Sequence, residues 1–224
     1  VPSPRSPAEL QAFVRERTAP TPVPLCPELT LYTATEMTSL WHATAAELRG
    51  WDDSPFWAFP WAGGQALARH VLDHPALVRG RRVLDFASGS GLVGLAAARA
   101  GAARVVAADI DPFCAAVLPL NAGLNRLALE VRTDDLLGRP LAGFDVVLAG
   151  DVFYERALAE RSFAWFGALA ASGLRVLAGD PGRNYSPASG AAVLAEYDVP
   201  TSVAIEATAV RRTRVLEMEG AATS

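Results

Sequence analysis

The hydrophobic pattern is irregular for about the first sixty residues and then becomes periodic. "QALARHVLDHP" reads as an amphipathic helix stopped by Pro75, "RRVLDFA" as a strand and "GLVGLAAARAG" as a helix ended by Gly101. "RVVAADI" follows as strand, "DPFCAAVLPLNAGLN" as a helix opened by Asp111 and Pro112, and "LALEVRT" as strand. Then come "FDVVLAG" as strand, "ERALAERSFAWFGALAAS" as helix, "LRVLAGD" as strand and "ASGAAVLAEYD" as helix. "TSVAIEA" and "AVRRTRVLEM" close the chain as two strands with no helix between them, which should pair antiparallel at an edge. Strands alternating with helices at this spacing predict an α/β fold. It is a Rossmann-like, doubly wound, seven-stranded and mostly parallel sheet with an antiparallel edge strand.

Ahead of this region, residues 1–30 hold seven of the 16 prolines around one helical stretch, "PAELQAFVRERT", and read as a partly ordered Pro-rich arm. Residues 31–75 carry four of the five tryptophans, Trp41, Trp51, Trp57 and Trp61, and read either as a cover over a site or as aromatic core. Residues 76–220 then form the sheet domain, within a chain of 224 residues that can bury one sizeable core.

Composition removes several classes of function. Two cysteines are too few for a disulfide framework, and His42, His70 and His74 lack metal-ligand spacing, so no metal is expected. No apolar stretch reaches the ~20 residues of a membrane span, and the opening "VPSPRSPAEL" lacks a signal-peptide layout. A cytoplasmic protein without a membrane partner is the expectation. A net charge of −4 and a pI near 5.4 argue against nucleic acid as a partner. All 20 basic residues are Arg, most simply through codon bias in a GC-rich genome.

The strand-to-helix turn "VLDFASGSGLVG" places Gly89, Gly91 and Gly94 at G-x-G-x-x-G spacing, which lets a ligand approach backbone at a helix N-terminus. The pattern fits a nicotinamide dinucleotide or S-adenosylmethionine. Asp85, four residues before Gly89, decides between them. A carboxylate there repels a pyrophosphate but suits a donor that carries an ammonium and a sulfonium and no phosphate. Asp109, 18 residues after Gly91, can accept from both ribose hydroxyls under either reading. Asp134 or Asp135 can meet an adenine amino group, and at least one of them reads equally well as a solvated loop carboxylate.

The stretch "GDVFYE", Gly150 to Glu155, releases a buried strand through a carboxylate and two rings. It can form the floor of an amine site. Its plainer reading has Asp151 capping the next helix while Phe153 and Tyr154 fill core.

These residues resemble a known family. "DFASGSG", Asp109 and "DVFY" are similar to class I, seven-strand S-adenosylmethionine-dependent methyltransferases, specifically the protein-lysine group with an Asp-x-Phe-Tyr motif after strand four. Together with "FWAFPWAGGQALARHVLDHP", "DIDPFCAAVLPLN" and "VLAGDPGR" they resemble, colinearly from about Trp51 to Asp198, the electron transfer flavoprotein β-subunit lysine methyltransferases and their bacterial relatives. Ala87 departs from the pattern, standing where many such enzymes have the first loop glycine.

The resemblance implies S-adenosylmethionine as cofactor and a protein lysine as substrate, the flavoprotein β subunit first and a ribosomal protein second. It implies Asp151, Phe153 and Tyr154 as catalytic residues around the amine. Asp85, Ala87, Gly89, Ser90, Gly91, Asp109, Ile110, Asp134, Asp135 and Gly150 would contact the donor, with Trp57, Trp61, Gly64 and Gln65 covering it. Asp180 and Arg183 either contact the substrate or pair with each other in a turn. Absence of Lys would also preclude self-methylation, a weaker explanation than codon bias. Competing readings are a small-molecule, nicotinamide-like N-methyltransferase, a NAD-dependent oxidoreductase, and a non-catalytic donor-binding module. The sequence does not fix the oligomeric state.

Overall fold

The computed structural model describes residues 6–34, 40 and 54–220, so Trp41 and Trp51 lie outside the described residues. A seven-stranded sheet is assembled from β3 (Arg82–Phe86), β4 (Arg104–Ala108), β5 (Glu130–Arg132), β6 (Val146–Gly150), β7 (Arg175–Asp180), β8 (Ala191–Pro200) and β9 (Val210–Met218). Their spatial order is β5-β4-β3-β6-β7-β9-β8, parallel from β5 through β7, with β9 antiparallel to both neighbours. The order reverses at β3, where the chain crosses from β5 to β6, so a crevice opens at the carboxyl ends of the strands.

Strand alternation divides the core. Val83, Leu148, Leu177 and Val215 face α2 (Ala62–Asp73) and α3 (Leu92–Arg99) on one side. Leu84, Phe86, Val147, Ala149, Val176 and Leu216 face α5 (Arg156–Ala171) on the other. With both faces covered, these strands are continuous apolar runs, which is why they are legible in sequence. α4 (Pro112–Asn125) begins at Asp111, whose carboxylate accepts from the backbone N–H of Phe113.

Three segments depart from expectation. Residues 191–200 form strand β8, not a helix. The Ala-rich run carries helix propensity, but Ala195, Tyr197 and Val199, spaced by two, pack on the core, and the strand pairs with β9 along its length. "TSVAIEA" forms the one-turn helix α6 (Val203–Glu206) instead of a strand, so the antiparallel edge pair is β8 with β9. The Pro-rich N-terminal segment contains α1 (Pro7–Arg17), the helical stretch expected there, opened by a reciprocal Ser6–Glu9 capping box, and, beyond expectation, a hairpin of β1 (Ala19–Val23) with β2 (Cys26–Thr33). Asn121 and Asn125 of α4 fasten the hairpin by accepting from the backbone N–H groups of Tyr32 and Thr30.

Gly63 and Gly64 bring the first turn of α2 directly onto the ends of β6 and β7. A Cβ on Gly63 would lie 2.5 Å from the Gly179 carbonyl oxygen, and one on Gly150 would lie 2.8 Å from the Gly64 Cα. Backbone thus touches backbone at the carboxyl edge of the sheet, and residues 61–65 are held against the crevice.

Candidate active site

A cavity of about 430 Å³ fills the crevice, adjoining a smaller one of about 40 Å³ beside the glycine loop. The loop is built by handedness. Ala87, Gly89 and Gly91 have φ of 51°, 51° and 80°, turning the chain sharply from β3 into α3. Ala87 therefore occupies a left-handed position that costs a residue with a Cβ ~1–2 kcal/mol. Gly91 is needed for this turn and because a Cβ would run into the Leu118 side chain; it is not part of either cavity wall.

Asp85 is buried below the loop, where Oδ2 accepts from the Gly94 N–H at 2.8 Å. Burial pushes its carboxyl well above the ordinary aspartate range. It borders the smaller cavity with Gly64, Ser88, Gly89, Ser90 and Gly150. Ser88 Oγ is buried there without a hydrogen-bond partner among the described residues. An orphaned hydroxyl beside a buried carboxyl is a cradle for a polar ligand end.

Asp109 sits across the loop, accepting from Gly89 N–H at 2.8 Å and from Asp111 N–H at 3.0 Å, with the Cys114 thiol as a further donor. Burial raises its carboxyl, and the hydrogen bonds oppose that rise. Next to it Ile110 is 71% exposed, although it lines the cavity. Asp134 and Asp135 lie on the same wall, followed by Leu136 and Leu137. Asp134 is committed to Arg132 at 2.9 and 2.7 Å and to Arg139 at 3.4 Å, whereas Asp135 Oδ1 accepts only from Leu137 N–H among the described hydrogen bonds.

Aromatic rings line the cavity as well. Tyr154 meets Phe56 in a tilted pair with ring centroids 5.4 Å apart, and Phe56 meets Trp61 edge-on at 5.7 Å. Trp57 lines the cavity too, but it is buried and stacks on Phe113 at 5.4 Å, so it is cover and core at once. Phe56 was not marked by the tryptophan count, although "FWAFPW" contains it.

Phe153 does not wall the cavity. It is fully buried among the side chains facing α5, as the plainer reading of "DVFY" has it. Asp151 does not cap the next helix, because Glu155 does so through the N–H groups of Ala157 and Leu158. Instead Asp151, at φ 67°, lies on the cavity floor with Arg183 Nε 2.6 Å from Oδ1 and Nη2 2.7 Å from Oδ2. Gly63 N–H donates to Oδ2 at 3.2 Å. Burial pushes this carboxyl up, and Arg183 pulls it down.

Gln65 and Asp180 are structural. Gln65 is buried, accepting from Leu25 N–H and donating to the Pro60 carbonyl, which ties α2 to the hairpin. Asp180 is buried, accepting from Gly182 and Arg183 N–H groups, Ser186 Oγ and Arg214 Nη2. Its turn thus holds the Arg183 backbone, while the guanidinium goes to Asp151 and to Glu206, a residue no motif marks.

Comparison with known proteins agrees with this geometry. Residues 67–152 match the ribosomal protein L11 methyltransferase family. The chain is 40% identical over 178 residues to the electron transfer flavoprotein beta subunit lysine methyltransferase of Mus musculus, covering 78% of this chain and 69% of that one. With the Rattus norvegicus protein of the same name it shares 38% over 199 residues, covering 86% and 77%. Among solved structures, the magnesium protoporphyrin IX methyltransferase of Synechocystis PCC 6803, crystallised with S-adenosylmethionine, has a TM-score of 0.51 at 17% identity. The match covers 82% of this chain and 97% of that one, a likeness of fold. Identity of 40% over 78% of this chain and 38% over 86% of it makes the chain a member of the electron transfer flavoprotein beta subunit lysine methyltransferase family.

Proposed function

We propose that the chain transfers a methyl group from S-adenosylmethionine to the side-chain amine of a protein lysine, with the electron transfer flavoprotein beta subunit as substrate. The observation that carries this reading is one cavity with two unlike linings. Asp109, Asp134 and Asp135 with Gly89 supply carboxylates and loop backbone, and Phe56, Trp61 and Tyr154 supply rings, Trp61 bordering the smaller cavity beside the glycine loop as well. The names of the curated relatives support the choice of substrate.

The residues present fit the donor. Asp109 would hold the ribose hydroxyls, the exposed Ile110 would lie under the adenine, and Asp135, the less committed of the two carboxylates, would meet its amino group. Asp85 and the orphaned Ser88 hydroxyl would receive the amino-acid end. When bound, S-adenosylmethionine supplies a methyl on a positively charged sulfur, which a neutral amine takes by in-line displacement with no covalent enzyme intermediate.

The protein's part is alignment and charge. Ring faces of the aromatic lining suit an alkylammonium side chain and exclude water from it. A lysine ammonium costs roughly 4–5 kcal/mol to deprotonate at pH 7, so its surroundings matter more than a strong base would. Phe153 supports this lining from the core beneath and does not touch the substrate.

Labelled methyl transfer to purified flavoprotein beta subunit, followed by mass mapping, tests the proposal. The expected result is label on a lysine side chain. Label confined to nicotinamide, added to a desalted extract in a second tube, would overturn the protein substrate, and no transfer at all would overturn the enzyme reading.

A further inference from the structure

Asp151, Arg183 and Glu206 form a single buried unit at the cavity floor, and what they do there deepens the methyl-transfer reading on which this inference rests. Arg183 spans two carboxylates: Nε and Nη2 go to Asp151, and Nη1 and Nη2 donate to Glu206 at 2.9 and 2.8 Å. Arg211 Nε lies 3.8 Å from Glu206 Oε2. Both Asp151 oxygens accept N–H donors, the arrangement of an ionised carboxylate, so two anions meet two cations and the formal charges cancel.

Two further charged groups of the neighbouring elements are paired with each other, and Arg161 of α5 lines the same cavity. Asp180 at the end of β7 is paired with Arg214 of β9 at 2.6 Å. α2 contributes its N-terminal N–H groups, Gly63 toward Asp151 at 3.2 Å and Ala62 toward Glu206 at 3.5 Å. The Arg183 guanidinium lies 5.7 Å from the Trp61 ring centroid, on the cavity wall.

A bare carboxylate beside a lysine holds it as ammonium, the form that cannot attack. We infer that Arg183, clamped between Asp151 and Glu206, is a positioning residue that keeps the cavity floor electrically neutral, so that a docked lysine releases its proton to bulk solvent and stands as the neutral amine. Arginine suits the task because it stays charged and its planar fork matches two carboxylates at once. Glu206 is buried and acts through Arg183, anchoring it from α6.

The test is the pH dependence of kcat on the flavoprotein beta subunit, at saturating donor, for wild type, Arg183→Gln, Arg183→Lys and Glu206→Gln. Losing one cation at roughly 10 Å under an effective dielectric of about 20 should move the rising limb of Arg183→Gln up by about one pH unit. That is a roughly tenfold loss near pH 7.5, recovered near pH 9.5. Arg183→Lys should keep the wild-type limb, and Glu206→Gln should move it down. The limb of kcat/KM set by the free lysine should stay in place, because kcat alone reports groups in the complex.

A loss in Arg183→Gln that is the same at every pH would overturn the proposal, as would unmoved limbs in both charge-changing variants. If Arg183→Gln does not fold, Glu206→Gln decides: a lowered limb supports the proposal and an unmoved one overturns it. Wild type that methylates no lysine would overturn the methyl-transfer reading itself, before any variant is compared.

Discussion

Two adjacent glycines should respond oppositely to the same added methyl group. In Gly63→Ala the new Cβ would lie 2.5 Å from the Gly179 oxygen and 2.8 Å from the Asp151 nitrogen, against 3.4–4 Å for ordinary contact. The obstacles are backbone atoms, so α2 must lift by ~1 Å, forcing the overpacking cost of ~1–3 kcal/mol. The same lift stretches the Gly63 N–H bond to Asp151 beyond its present 3.2 Å, and hydrogen bonds to charged groups are worth ~1.5–3 kcal/mol. The two effects overlap, giving a loss of about 2–5 kcal/mol, or about 5–15 °C in Tm for a domain of this size. In Gly64→Ala the nearest atom is the Leu92 Cδ2 at 3.9 Å. There the helix gains up to ~1 kcal/mol of propensity, while the methyl enters the smaller cavity and weakens donor binding several-fold. Urea unfolding without donor, with donor titration alongside, measures both. Equal stability of the two variants within ~0.5 kcal/mol would refute the claim that α2 is seated backbone to backbone on the sheet.

Other substitutions separate core from site. Phe153→Ala should cost ~3–5 kcal/mol as a core truncation, whereas Tyr154→Ala should leave stability nearly unchanged and reduce kcat/KM for the protein substrate with the donor Kd intact. A reversed pattern in melting and kinetics would exchange their roles. Asp109→Asn should weaken the donor tenfold or more by calorimetry while Asp134→Asn does not; equal losses would mean that the adenine contact is misplaced. The donor-free protein should also lose stability as pH rises. Burial raises Asp85 and Asp109 above their unfolded values. This contribution is full below the unfolded value near pH 4 and is lost as pH climbs through the raised ones. Thermal unfolding from pH 5 to 8 should show the slope, and Asp85→Asn should flatten it; an unchanged slope in that variant would assign it elsewhere.

What the sequence made legible follows from the physics of each element. The parallel strands were legible because both faces are buried, and the glycine loop because positive φ limits its composition. The β8–α6 region was misread because an Ala-rich edge strand carries helix propensity, and only the spacing of Ala195, Tyr197 and Val199 marks it as strand. In "DVFY", the residue types suggested an amine site but could not say which ring faces it. The loop that follows β6 sends Phe153 to the core and Tyr154 to the cavity. Glu206 had no signal at all. It meets Ala62 across 144 positions and lies in an apolar run in the connection between the paired strands β8 and β9.

The two linings of the cavity are consequently built by different kinds of sequence. The donor lining comes from βα turns, in which each residue is set by its own strand, its own helix and a backbone conformation that few residues tolerate. The amine lining comes from elements distant in the chain: the aromatic stretch before α2, the turn after β7 and the connection from β8 to β9. All of them converge on the first turn of α2, where Gln65 also donates toward the Pro200 carbonyl at 3.5 Å. No single strand fixes that convergence, so a change in the β8–β9 connection can move Glu206, and through it Arg183, without disturbing the glycine loop. Substitutions in α6 should accordingly alter kcat and its pH limb while leaving donor affinity alone, a separation that would be impossible if one rigid element carried both linings.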